Sequence, residues 1–309
     1  MSILKLIPAC KDYLWGGTRL KQEFHIQSDL DPLAEAWMLS CHRDGPSVIE
    51  NGTWAGKTLP QYLSANGPRV LGTNCNPAED FPLLIKLIDA KENLSIQVHP
   101  SDEYALSHEG QLGKTEMWYI LDAEPGAFLY YGFRRKITPD TFSDAVARND
   151  LPNYLNALEV HPGDVIFIPA GTLHAICKGI LLAEIQQNSN VTYRVYDYGR
   201  IGLDGKPRAL HVQQAKEVTN LCPAADSYPF YGHLAQCKYF TVDLFQEPFQ
   251  GVCDGKSFVS LLILDGAGQI SSGEQHLNFH KGDSLFLPAD MGPYQVDGAF
   301  SLLRTFAGQ

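Results

Sequence analysis

The chain has no surplus of positive charge. Its 24 Lys and Arg stand against 35 Asp and Glu, a net charge of −11 over 309 residues. No basic stripe runs along any segment, which excludes a general binder of nucleic acid or other polyanions. A small anionic substrate stays open, because a single phosphate needs only a few local cations. Long apolar runs are also missing: none approaches the roughly 20 residues of a membrane span. The N-terminus, MSILKLIPACKDYLWGG, lacks the apolar core and cleavage site of a secretory signal, so a cytoplasmic protein is expected. The 7 cysteines show neither a CxxC pair nor regular spacing. That excludes a thiolate zinc framework and points to reduced thiols.

What is present leans towards β structure. There are 27 Gly and 19 Pro, and 44% of residues are hydrophobic, arranged in short apolar runs between turn dipeptides. Helical patterns are few. Thr58–Ala65 (TLPQYLSA) reads as a short helix with Thr58 as N-cap and Asn66-Gly67 as its stop. The stretch 138–158 reads as a second helical insert, from the apolar spacing of Phe142, Val146, Leu151 and Leu155. Gly72–Asp80 reads as loop, Phe81–Ala90 as a buried strand, and Ala123–Gly126 as a hairpin turn between two strands.

The chain is organised around Gly163–His174, GDVIFIPAGTLH. Pro162-Gly163 turns the chain, Val165–Ile168 is a short β-branched run, and Pro169-Ala170-Gly171 turns it again. If the next strand starts at Thr172, then Thr172, His174 and Ile176 share one face. The stretch also recurs. His161–Ala170 (HPGDVIFIPA) returns 119 residues later as His280–Ala289 (HKGDSLFLPA), and Ile120-Leu121-Asp122 returns 143 residues later as Ile263-Leu264-Asp265. The first copy therefore carries 24 more residues between these pieces, about the size of the helical insert. Lys178-Gly179 likewise matches Asp297-Gly298 as a turn. The two copies imply two β-barrels of common design, with helices added to the first. At the offsets of the repeat, His174 falls on Pro293 and Glu116 on Val259. The second copy is thus expected to lack the polar set of the first and to serve structure, a lid or dimer contacts.

Three side chains of the first copy can meet inside its barrel. In Ser95–Pro100 (SIQVHP), Ser95, Gln97 and His99 point one way along a strand. Glu116 and Trp118 share a face on the following strand. Two imidazoles, His99 and His174, with the Glu116 carboxylate suit zinc or iron(II). Gln97 is either a further ligand or a support for one. Lys86 is a lone charge within the apolar run 81–88, and Lys114 stands two residues before Glu116. Asn190–Arg200 (NVTYRVYDYGR) sets Arg194 and Arg200 among tyrosines, a mixture that suits a sugar-phosphate pocket as well as ordinary packing.

The spacing Gly-x5-Pro-x-Gly-x2-His at 163–174 resembles the second signature of the cupin barrels, with Lys178 where that signature usually has Asn. QVHP, GKTEMWYIL, PAGTLHAI and NVTYRVYDYGR, in that order, resemble the type I phosphomannose isomerases in their short bacterial form. The resemblance runs from Tyr13-Leu14-Trp15-Gly16 to the end of the chain. It implies a mainly β fold of two cupin-type jelly rolls, a catalytic domain over 1–235 and a degenerate cupin over 236–309, with N-terminal strands free to cross over. It also implies one Zn2+ per chain on His99, Glu116 and His174, with Gln97 in the place of a glutamine ligand, and Arg194 as the catalytic arginine. Lys86, Lys114 and Trp15 fall near the substrate. The implied reaction interconverts mannose 6-phosphate and fructose 6-phosphate through an enediol, in a monomer or homodimer. Longer relatives carry a separate helical domain and another arginine motif, so their phosphate contacts do not transfer. A cupin iron(II) oxygenase and a non-enzymatic sugar-binding bicupin are the competing readings.

Overall fold

The computed structural model describes residues 1–76, 80–201, 205–225 and 227–308, so residues 77–79 of the expected loop lie outside the described residues. The chain is mainly β with five short α-helices among the described residues. It divides into two compact units. One comprises Met1–Tyr13, Thr18–Ile88 and Phe230–Gln309, the other Leu14–Gly17 and Asp89–Pro229.

In the unit containing 89–229, successive strands change sheets. One sheet runs Tyr193–Tyr196, Ile96–Val98, His174–Ile176, Phe128–Phe133, Leu155–Glu159 in spatial order. Val165–Ile168, Glu116–Ala123 and Ile180–Gln187 are neighbours in another. The chain crosses between the two at nearly every turn, which is the jelly-roll path. The 123–126 turn forms, with Ala127 N–H on the Glu124 carbonyl at 2.9 Å. It is not a hairpin turn, however. Glu116–Ala123 pairs with the strands at 165–168 and 180–187, whereas Phe128–Phe133 pairs with those at 155–159 and 174–176. A turn motif specifies local geometry and leaves open which strand becomes the hydrogen-bonded neighbour.

The helical insert is shorter than its apolar spacing suggests. A helix spans Pro139–Ala147, with the Thr138 side chain accepting from Thr141 N–H, and Asn149 then takes φ 54. Leu151–Tyr154 forms one 3-10 turn, with Pro152 disfavouring continuation of the helix before it. Leu155–Glu159 is a strand. Phe142, Val146, Leu151 and Leu155 nevertheless share one buried cluster with Phe133 and Leu173. Apolar spacing reported burial correctly and element type only in part. The other expected helix spans Leu59–Asn66 with a complete Thr58/Gln61 capping box.

In the unit containing 230–309, a nine-stranded sheet includes the long strands Val259–Ser272 and Gly292–Ala307. Leu4–Ile7 joins it beside Ser284–Leu287. The repeat holds down to single hydrogen bonds. His161 N–H donates to Asp164 Oδ2 at 2.7 Å, and His280 N–H to Asp283 Oδ2 at 2.8 Å. Gly163 N–H meets the Ile120 carbonyl at 2.8 Å, and Gly282 N–H that of Ile263 at 2.9 Å. The copies diverge afterwards. Asp297-Gly298 is no turn, since the strand Gly292–Ala307 runs straight through it. Pro293 is exposed, and Tyr294, one residue on, faces the core at 3% exposure. Period-two alternation, rather than the constant offset, therefore assigns the place of His174 to Tyr294.

The repeated glycines separate two costs. Gly163 has φ 94 with open space around a would-be Cβ, whereas at Gly282 (φ 89) that Cβ would stand 2.1 Å from the Phe24 carbonyl oxygen. Gly163→Ala is expected to cost about 1–2 kcal/mol, the left-handed strain alone. Gly282→Ala should cost about 1–3 kcal/mol more, because a main-chain carbonyl must also give way. Urea unfolding midpoints at unchanged m-value measure the difference.

Candidate active site

Three strands of the jelly roll bring the polar set together. His174 opens the strand His174–Ile176 and pairs directly with Gln97 on one side and Tyr131 on the other. Gln97 in turn pairs with Arg194. Directly opposed residues point to the same face, so Tyr131, His174, Gln97 and Arg194 form one row across the sheet. His99 lies two residues beyond Gln97, on that same face. Expectation and structure differ only in the start of the strand: it begins at His174, and Thr172 N–H closes the preceding turn onto the Pro169 carbonyl.

His99, Glu116 and His174 are buried, with exposures of 1%, 0% and 0%. One ligand atom from each lies within 4.8 Å of the others. His174 Nε2 stands 3.2 Å from Glu116 Oε1, and His99 Nε2 stands 3.6 Å from Glu116 Oε2. Each imidazole is oriented through its other nitrogen. Nδ1 of His99 is 2.8 Å from the Val191 carbonyl, and Nδ1 of His174 is 2.9 Å from that of Thr172. A carbonyl can only accept, so both Nδ1 atoms carry the proton and both Nε2 lone pairs face the carboxylate. His174 Nε2 makes no hydrogen bond at all. Two inward lone pairs and a buried carboxylate are the donor set of a divalent cation such as zinc or iron(II).

Burial pushes His174 down to a pKa of about 4, with Lys114 adding to the effect. The neutral imidazole needed for ligation is thus the resting form at neutral pH. Because the folded-state value lies below the ordinary 6.5, this group favours the fold above pH 6.5 and withdraws that stability as pH falls towards 4. Metal-free protein should lose up to about 3 kcal/mol from this group across the interval. Thermal midpoints taken between pH 7 and 4 test it, and His174→Ala should flatten the profile.

Lys114 is the cation of the cluster. Its Nζ lies 2.9 Å from Glu116 Oε2, 3.2 Å from His99 Nε2 and 4.0 Å from Glu184 Oε1. Glu184, 3% exposed, accepts from the Trp118 indole at 2.8 Å. Sequence reading passed over Glu184, although it interrupts the apolar run 180–185 just as Lys86 interrupts its own. Lys86 belongs to the other unit, where it is 4% exposed, 3.7 Å from Glu35 and over the Trp37 ring at 5.5 Å. It does not reach out to solvent. Trp15 is 5% exposed, and its carbonyl accepts from Glu92 N–H at 3.0 Å.

Arg194 is half-buried and held by three contacts. Nε donates to Ser95 Oγ at 3.2 Å and Nη1 to the Ala209 carbonyl at 3.1 Å, while the main chain pairs with His211. Burial, with Arg208 and Arg200 assisting, lowers its pKa. Arg200 and Arg208 both pair with Asp197, Arg200 at 3.0 Å and Arg208 through two guanidinium nitrogens. Three guanidiniums around one carboxylate leave a local positive surplus within an acidic chain. Arg208 carried no sequence signal; only the return of 205–211 across the 193–196 strand brings it there.

A jelly roll that buries two imidazoles and a carboxylate around one point defines this chain as a cupin with a metal-type donor set. The family model for the type I phosphomannose isomerase catalytic domain matches residues 3–123, and that for the mannose-6-phosphate isomerase cupin domain matches 232–307. A probable mannose-6-phosphate isomerase of Bacillus subtilis is 38% identical, over 96% of this chain and 96% of its own length. The mannose-6-phosphate isomerase of Streptococcus mutans is 35% identical over 96% and 95%. The crystal structure of a Bacillus subtilis mannose 6-phosphate isomerase superposes with a TM-score of 0.91 at 35% identity, covering 99% of both chains. The chain belongs to the type I phosphomannose isomerase family.

Proposed function

We propose that the protein is a metal-dependent aldose–ketose isomerase that interconverts mannose 6-phosphate and fructose 6-phosphate. The observation that carries this reading is the single row of His174, Gln97 and Arg194 beside the buried His99 and Glu116. Family membership over nearly the whole chain supports it. His99, Glu116 and His174 would hold the ion, with Gln97 beside them, and family membership points to zinc for a donor set that suits it. When bound, the ion acts as a Lewis acid towards the sugar's carbonyl and hydroxyl oxygens.

This chain's own side chains do the rest. Arg194 faces the pocket as a fixed donor and holds the negative charge that develops as a proton leaves carbon 2 for carbon 1. Its anchors on Ser95 and Ala209 keep the guanidinium plane in place. Lys114 holds Glu116 and His99 in register and keeps positive charge next to the carboxylate. The proton passes through a group beside the cluster, for which Lys114 and Glu184 are candidates. The Arg200–Arg208–Asp197 group supplies the surplus charge for the 6-phosphate, with planar guanidinium matching its oxygens. All seven cysteines are free, which supports a cytoplasmic setting. No helix among the described residues is long and apolar enough to cross a membrane.

The deciding experiment is the rate of fructose 6-phosphate formation before chelation, after it, and with zinc restored. Turnover should vanish and return. Metal-loaded protein without turnover would overturn the isomerase, and oxygen consumption with iron would favour an oxygenase instead.

A further inference from the structure

The second copy of the repeat keeps a cavity of about 260 Å³. Strand register identifies the place. Glu116 pairs with Ile168 in the first copy, and Val259 pairs with Leu287 in the second. Glu184 pairs with Trp118, and Arg304 with Leu261, at the matching positions of the two ladders. So Val259 replaces the carboxylate, Tyr294 takes the inward place of His174, and Arg304 that of Glu184. Val259, Tyr294 and Arg304 all line the cavity. A metal cannot be held by this set, but an anion can.

Tyr294 is 3% exposed, and its O–H donates to no acceptor of good geometry. A buried phenol in that state is an uncompensated donor that a ligand oxygen would satisfy. Arg304 stands beside the Tyr294 hydroxyl and acts on it both as a charge and as a hydrogen-bond donor, which engages the phenol oxygen and leaves its O–H to donate. Its Nε and Nη2 donate to Asp243 Oδ2 at 3.2 and 2.6 Å, and its guanidinium stands over the rings of Phe245 and Phe306. That anchoring fixes the plane of the guanidinium at the cavity wall. Lys256 adds a cation at the cavity wall. Asp254, also in the wall, has an oxygen engaged at 2.9 Å by the Lys256 backbone N–H. Val252, Val259 and Phe306 supply apolar surface.

We propose that this cavity binds a small organic phosphate, with its oxygens on the Arg304 guanidinium, the Tyr294 hydroxyl and Lys256, and its carbon body against Val252 and Phe306. Phosphate suits three separate donors better than a planar carboxylate with two oxygens. The volume exceeds that of a bare phosphate ion, which leaves room for a few carbons.

Calorimetric titration of the whole protein with glycerol 3-phosphate tests it. Saturable binding is expected that weakens at least fivefold in Tyr294→Phe, a change that removes only the hydroxyl. It should weaken also in Lys256→Ala, an exposed position, and persist in Arg208→Ala, whose guanidinium lies in the other unit. Inorganic phosphate should bind more weakly. The proposal is overturned by absence of binding, by unchanged isotherms in both variants, or by binding that only Arg208→Ala removes. Equal or tighter binding of inorganic phosphate overturns the assignment to an organic ligand. None of these readouts needs turnover, so failure here and failure of the isomerase assignment are separate results.

Discussion

Replacing His174 by Ala is expected to reduce bound metal from one per chain to almost none and to lower turnover at least about 10³-fold. The size follows from what is removed. A Lewis acid contributes several kcal/mol to a developing oxyanion, and each 1.4 kcal/mol is tenfold in rate. His174 is also the proposed ligand with least freedom to be replaced: it is fully buried, fixed through Nδ1 on the Thr172 carbonyl, and flanked by Trp118 at 5.4 Å. Water filling the truncated site could not reproduce a nitrogen lone pair aimed at Glu116. Metal content by atomic emission, together with kcat, measures the effect. Hydrogen exchange over 259–307 should be unchanged, because those strands have their own core of Leu261, Phe279, Leu285 and Val296. A metal-free variant with wild-type turnover would sink the proposed site.

Arg194→Ala should give the complementary result: metal retained, kcat lowered by about 10²–10³-fold, the range for loss of one preorganised oxyanion donor. Arg194 shares its sheet row with Gln97 and His174 but is not one of the three clustered side chains His99, Glu116 and His174. Arg194→Lys should recover little. An ammonium keeps the charge but cannot hold Ser95 Oγ and the Ala209 carbonyl together while presenting a planar donor face. Steady-state kinetics distinguish the two roles open to Arg194. A loss confined to KM would make it a phosphate clamp, whereas loss in kcat and kcat/KM together marks a group acting in the transition state.

Legibility differed from residue to residue for physical reasons. His99, Glu116 and His174 could be read because strand alternation fixes facing over two or four residues and the turn dipeptides bound the segments in which the strands lie. Glu184 offers an equal signal, a charge inside the apolar run 180–185. Arg208 offered none. Its pairing with Asp197 depends on how residues 205–211 fold back, which no local pattern encodes. The helix read across 138–158 failed past Ala147 because buried apolar spacing is common to helix, 3-10 turn and edge strand, and only Asn149 and Pro152 mark the change.

The sequence by itself determined most of the turns, the strand faces, the repeat and the set of His99, Glu116 and His174, since these rest on dihedral preference and period-two alternation, both local to a few residues. Tertiary structure alone decided which strands are neighbours, turning an apparent hairpin at 123–126 into a crossing between sheets. It alone put Tyr294 rather than Pro293 in the inward place, and gathered three arginines around Asp197. Such outcomes depend on the joint packing of strands distant along the chain, and the free energy that selects among pairings belongs to the assembled core rather than to any segment of it.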